Sequence, residues 1–203
     1  YDVAPFTINE AGGYMNYVFF NAKDQFAGGN EYRMFDARST NFRGMGIATI
    51  DETLLPHEIY LYPNKSRNHH TYQDRNDING NYVIDHYEDG DGNIRSDYTS
   101  VHFTFQYPVP HQSIFVFGAV TDWRLQKGFK MKYNTTNKRY EGKVLMKQGY
   151  YNYKYVIGHK DEEKLEGSFS QTENQYEIVV YYRPFGQRED QIIGYKSFQL
   201  NFR

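Results

Sequence analysis

Alternation with a period of two runs through most of this chain, and it restricts the fold more than any other feature of the sequence. Val101, Phe103, Phe105 and Tyr107 fall on one side of an extended segment, with His102, Thr104 and Gln106 on the other. Tyr151, Tyr153, Tyr155 and Ile157 alternate in the same way with Asn152, Lys154 and Val156, and Tyr176, Ile178, Val180 and Tyr182 with Glu177, Val179 and Tyr181. Phe198, Leu200 and Phe202 repeat the pattern near the end. Successive side chains of a strand point to opposite faces, so this period predicts half-buried strands of antiparallel sheets. No long window carries apolar residues at three- and four-residue spacing behind a capping residue. A helical turn at 51–54 is the most that is predicted. The apolar content rests on 21 Tyr and 15 Phe, residues that suit the pleated surface of a sheet. The predicted fold class is all-β.

Strands are predicted near 14–21, 31–35, 43–49, 58–62, 81–87 and 99–107, and again near 114–118, 138–146, 150–158, 175–182 and 191–202. Between the two sets lies Tyr107-Pro108-Val109-Pro110-His111. Two prolines in three residues stop a sheet ladder and stiffen a connector. With 203 residues, two small β-sandwich domains in tandem are expected, 1–107 and 112–203, joined by 108–111.

A formal net charge of -2 supplies no global basic field, so a nucleic-acid partner is not expected. No window reaches the roughly 18 consecutive apolar residues of a membrane-spanning helix. The absence of cysteine removes disulfides, thiolate metal sites and a Cys nucleophile together. The chain starts at Tyr1 with no leader-like segment before it, and is read as a fragment or processed product.

The stretch 74–93 is rich in Asp, Asn and Gly, which raises a calcium loop. Counting positions weakens it: from Asp85, Tyr87 and Ser96 stand where an oxygen donor and a bidentate Glu are needed, and from Asp89, Asp91 and Asn93 fit but Ile94 takes the sixth position and Ser100 the twelfth. Turn chemistry accounts for Ile78-Asn79-Gly80-Asn81 and Asp89-Gly90-Asp91-Gly92, which offer the positive-φ residues of tight hairpins. Adjacent His69 and His70 point apart on extended chain and are read as a solvated loop. No nucleophile elbow, phosphate-cradling loop or His-Glu-x-x-His is present, and neither an enzymatic activity, a cofactor nor a metal is expected.

Trp123, the one tryptophan, sits on a turn between strands. Its ring can stack on the C–H face of a sugar while amide and ammonium groups bind the hydroxyls. If Tyr153 and Tyr155 face a core, Asn152 and Lys154 lie on the opposite face, where Trp123 can join them. The alternative is that Trp123 covers an edge of its own core, and the spacing leaves both readings open.

Val116-Phe-Gly-Ala-Val-Thr-Asp-Trp123, Met131-Lys-Tyr, Tyr140-Glu-Gly-Lys-Val-Leu and Gly149-Tyr-Tyr-Asn-Tyr-Lys-Tyr-Val resemble the early-set immunoglobulin-like sandwich of glycogen-binding modules. In that resemblance Trp123 and Lys154 match glucan-contacting positions, while 159–166 carries no second stacking ring. A resemblance over nearly the whole chain is to the plug protein family of the type IX secretion system of Bacteroidetes. It is carried by Ser96-Asp-Tyr-Thr-Ser-Val-His-Phe-Thr-Phe105, Phe117-Gly-Ala-Val-Thr-Asp-Trp123, Lys147-Gln-Gly-Tyr-Tyr-Asn-Tyr153 and Glu166-Gly-Ser-Phe-Ser-Gln-Thr-Glu-Asn-Gln-Tyr176 with Tyr181-Tyr-Arg-Pro-Phe-Gly186. The chain is similar to the C-terminal half or so of that family. The resemblance implies a periplasmic, non-enzymatic accessory that occupies the outer-membrane secretion translocon, and two immunoglobulin-like or early-set sandwiches in tandem. Tyr and Arg are favoured at interfaces, so Tyr181, Tyr182, Arg183 and Phe185 are partner-contact candidates. Trp123, Asn152 and Lys154 are the candidates for a glycan, the alternative ligand.

Overall fold

The computed structural model describes residues 8–11, 14–17, 26–88, 91–158 and 162–201. In chain order the strands are β1 (Ile8–Ala11), β2 (Tyr14–Tyr17), β3 (Arg33–Asp36), β4 (Ile47–Asp51), β5 (Glu58–Leu61), β6 (Asn64–Lys65) and β7 (Tyr82–Ile84). After a helical turn α1 (Gly92–Arg95) come β8 (Tyr98–Gln106), β9 (Ile114–Phe117), β10 (Lys132–Asn134), β11 (Arg139–Lys147) and β12 (Gly149–Ile157). A second turn, α2 (Glu163–Glu166), precedes β13 (Asn174–Tyr182) and β14 (Gln191–Leu200). The chain is all-β, as its alternation predicts. The expected turn of helix at 51–54 does not form: the Asp51 carboxylate accepts from the Thr53 N–H at 2.9 Å and closes a bend instead.

One sheet has the order β10-β11-β8-β5-β4, with β6 also on β8. β5 and β6 run parallel to β8 at successive positions, 100–102 and 105–106. They amount to one strand broken at Pro63, which cannot donate to the ladder. The second sheet is β3-β12-β7, with β9 pairing further along β12. The remaining strands form two separate hairpins, β1–β2 and β13–β14.

The tandem arrangement expected at 108–111 is not what these strands build. β8 pairs with β11 from Tyr98 to Phe105, and β12 pairs with β3 and β7, so both sheets draw on both sides of the boundary. The prolines do end β8, as proline should, but long-range pairing decides which strands share a core. The two sheets face each other across a layer of rings, which gives the fold its sandwich character. Phe103 lies 5.8 Å from Phe35 and 5.4 Å from Tyr153, and Phe105 lies 4.4 Å from Tyr155. These side chains, with Val101, Ile59, Ile114 and Tyr151, are almost wholly buried. Each such aromatic or aliphatic side chain contributes about 1.5–3 kcal/mol of burial.

The Asn-Gly turn behaves as its sequence predicts. Asn79 and Gly80 both have positive φ, and the Asn81 N–H donates to the Ile78 carbonyl at 3.1 Å. Asp89 and Gly90 lie outside the described residues. Beyond them Asp91 opens α1, its carbonyl accepting from the Ile94 and Arg95 N–H groups at 3.0 Å.

Candidate functional site

Trp123 is presented by a deliberately bent segment. After β9 the chain makes a 3-10 turn at Ala119–Thr121, then Asp122 and Trp123 both adopt left-handed backbone, at φ 50 and 56. Two consecutive non-glycine residues there cost about 1–2 kcal/mol each. The Gly118 carbonyl holds the bend by accepting from the N–H groups of Thr121 and Trp123 and from the Thr121 hydroxyl, at 3.0, 3.2 and 2.9 Å. The indole meets Phe117 and Tyr32 edge-on, with centroids 5.8 and 6.1 Å away, and remains 46% exposed. Gly80 is its floor: a Cβ there would stand 2.4 Å from Trp123 Cη2 and 2.6 Å from Tyr32 Cε1. Trp123 therefore covers an edge of the protein and still shows part of its ring.

Asn152 and Lys154 do lie opposite Tyr151, Tyr153 and Tyr155 on β12, but that second face is closed too. Asn152 is fully buried, and its Oδ1 accepts the Ile78 N–H at 2.6 Å, tying the 78–81 turn to β12. Lys154 is 7% exposed, with its ammonium 2.6 Å from Glu162 Oε1 and 4.2 Å from the Tyr32 ring centroid. Burial opposes its charge, but Tyr32 and Glu162 outweigh burial and leave the pKa raised. The glycan constellation expected from the sequence is thus not assembled. Tyr32 stands between Trp123 and Lys154, and the two polar members are buried within the protein.

Beside them lies a charged hub that the sequence did not single out. Glu166, at the end of α2, has no exposure. Its Oε1 accepts from Arg33 Nε at 2.9 Å and from the Tyr155 N–H at 2.8 Å, and its Oε2 accepts from Arg67 Nε at 2.8 Å. The Arg33 guanidinium also lies 5.2 Å from the Tyr155 ring centroid. Burial works to raise the Glu166 carboxyl, but Arg33, Arg67 and the Tyr155 N–H hold it down to about 2. One side chain joins β3, β12 and the segment after β6. Its only local sequence mark is Gly167, whose φ of 82 ends α2.

The remaining candidates come together elsewhere. Tyr181, Tyr182, Arg183 and Phe185 sit at the far end of the β13–β14 ribbon, all exposed, and Phe185 entirely so. Tyr181 is paired with Ile192 beside a register shift that also presents Ile193. Arg183 makes a two-pronged pair with Asp190 at 2.7 and 2.9 Å. Among the described residues neither strand has a further neighbour in the sheet, so both ribbon edges are open. His69 and His70 are exposed loop residues, and among the described residues no group of three or more His, Asp or Glu side chains is placed to hold a metal ion. Among the same residues no helix is long and apolar enough to cross a membrane.

No protein-family model and no curated protein matches the chain. The chain is similar to a hypothetical protein from Parabacteroides merdae known from a crystal structure, with a TM-score of 0.78 and 36% identity. The match covers 86% of this chain and 46% of that one, so the chain spans less than half the length of its structural relative.

Proposed function

We propose that this protein is a non-enzymatic accessory of type IX protein secretion in the bacterial periplasm, which seals the outer-membrane translocon by protein–protein contact. Its motifs at 96–105, 117–123, 147–153 and 166–186 support the reading through their resemblance to the plug family, and its structural relative comes from a Bacteroidetes member. The observation that carries the contact mechanism is the end of the β13–β14 ribbon, where Tyr181, Tyr182 and Phe185 stand exposed beside Ile192 and Ile193. A lone two-stranded ribbon is marginal in water, and open edges with exposed rings invite strand addition or an apolar socket on a partner. In this reading the immunoglobulin-like, early-set character belongs to residues 98–157, which the first half of the chain completes.

The test is affinity capture of the translocon from envelope extracts in its idle and cargo-engaged states, with crosslinkable residues placed at 181 and 185. Crosslinks to the idle translocon are expected. Absence of association in every state would sink the proposal. Glycan recognition is the weaker reading, because Asn152 and Lys154 are buried. Titrating Trp123 fluorescence with glycogen and maltooligosaccharides is expected to leave emission unchanged.

A further inference from the structure

A cleft of about 270 Å³ opens between the start of β3, the broken strand at 63–67 and the loop at 70–75. Arg33, Lys65, Arg67, His70 and Arg75 line it, and no lining residue is acidic. Its frame is rigid. Arg33 donates from Nη1 to Asn64 Oδ1 and from Nη2 to the Lys65 carbonyl, both at 2.7 Å, and Lys65 is paired with Gln106 of β8.

The charge at the cleft floor does not balance. Arg33 and Arg67 share the single carboxylate of Glu166, which leaves one positive charge over. Lys65 and Arg75 are exposed cations on the same walls. Burial lowers the Arg67 pKa, and the charges of Arg33 and Arg75 add to that against the pull of Glu166, which records the crowding of cations. Arg67 commits Nε to Glu166 and Nη2 to the Glu31 carbonyl. Among the described residues its Nη1 has no protein partner. A concave wall of one sign focuses its field toward the opening, and guanidinium and ammonium donors match tetrahedral oxyanions. The volume falls below the roughly 300–1,000 Å³ of sites for drug-sized ligands, so the room suits one anionic group on a small body.

We propose that this cleft binds a phosphate-class oxyanion, free or as the terminal group of a small phosphate ester, with Lys65 and Arg75 at the mouth and Arg67 Nη1 inside. The inference is independent of the secretion reading. It is tested by titrating the whole chain with inorganic phosphate and with glucose 1-phosphate, following backbone amide shifts and heat, with sodium chloride at matched ionic strength as control. Saturable shifts confined to 63–75 are expected with at least one of the two phosphates, and the pair of responses separates free phosphate from an ester as the source. The double variant Lys65→Ala/Arg75→Ala, at exposed positions, is expected to bind roughly tenfold more weakly or worse while melting as the parent does. Equal binding by parent and variant, shifts lying elsewhere, or the same shifts with chloride would each overturn the proposal.

Discussion

Replacing Glu166 with Gln tests the buried hub where the fold depends on it. In the folded protein the carboxyl is held at about 2 against an ordinary 4.5. At about 1.36 kcal/mol for each step of one in pKa, that gap corresponds to about 3 kcal/mol of stability linked to ionisation of this group. The folded pKa lies below the unfolded one, so the contribution is complete above about pH 4.5 and is lost as the pH falls toward about 2. Geometry gives a figure of the same order. Gln keeps the size and one acceptor but strands Arg33 and Arg67, whose side chains are 7% and 14% exposed. Removing one partner of such a buried pair costs about 3–5 kcal/mol. Urea unfolding followed by circular dichroism, from about pH 7 down to about pH 2, is expected to show E166Q less stable by about 3–5 kcal/mol at neutral pH, with the gap closing in acid. A variant within about 1 kcal/mol of the parent at neutral pH, or a gap that persists unchanged in acid, refutes the reasoning.

Gly80→Ala forces a Cβ into Trp123 and Tyr32 at a positive φ, and is expected to lose about 2 kcal/mol or more; parent-like melting together with unchanged Trp123 emission would contradict the packing described. Arg183→Ala removes an exposed pair and is expected to leave the thermal melt where the parent's lies; a clear drop in melting temperature would contradict its exposure. Glu58, on the outer face of the larger sheet, is held down to about 2 by hydrogen bonds from Lys143 and Tyr60, then, against burial, from His102. Carboxyl-carbon NMR titration is expected to place its midpoint near that value, and Lys143→Ala to move it upward; a midpoint unmoved by K143A refutes the assignment of Lys143 as the main cause.

Strands announced themselves wherever one face met the core and the other met water or a thin polar cover. That condition holds for β8 and β11, and the Asn-Gly turn at 79–80 carried its own backbone requirement. β6 and β10 are too short for a period to register. The second face of β12 misled for a physical reason: Asn152 and Lys154 are polar, yet the 78–81 turn covers Asn152 through its Oδ1 while Tyr32 and Glu162 cover and compensate the Lys154 ammonium. Glu166 was illegible because its partners Arg33 and Arg67 lie 133 and 99 residues away. A single Glu in an acidic run looks like surface until those partners are known. The proline pair at 108–110 correctly marked the end of a strand. It could not reveal which strand would lie alongside.

The pairing of β3 with β12 also sets the order in which the molecule can be made. During synthesis the segment carrying Arg33 and Phe35 emerges long before the tyrosines that it must meet, and β8 must wait for β11. Until Gly149–Ile157 has left the ribosome, the early strands have no closed core to join, and their aromatic faces stand open to chaperones or to neighbouring chains. Slow, late-committing folding is the expected character of such a topology. A break at 108–111 would produce two pieces that each lack the other's sheet partners, and recovery of the native core would require both pieces together.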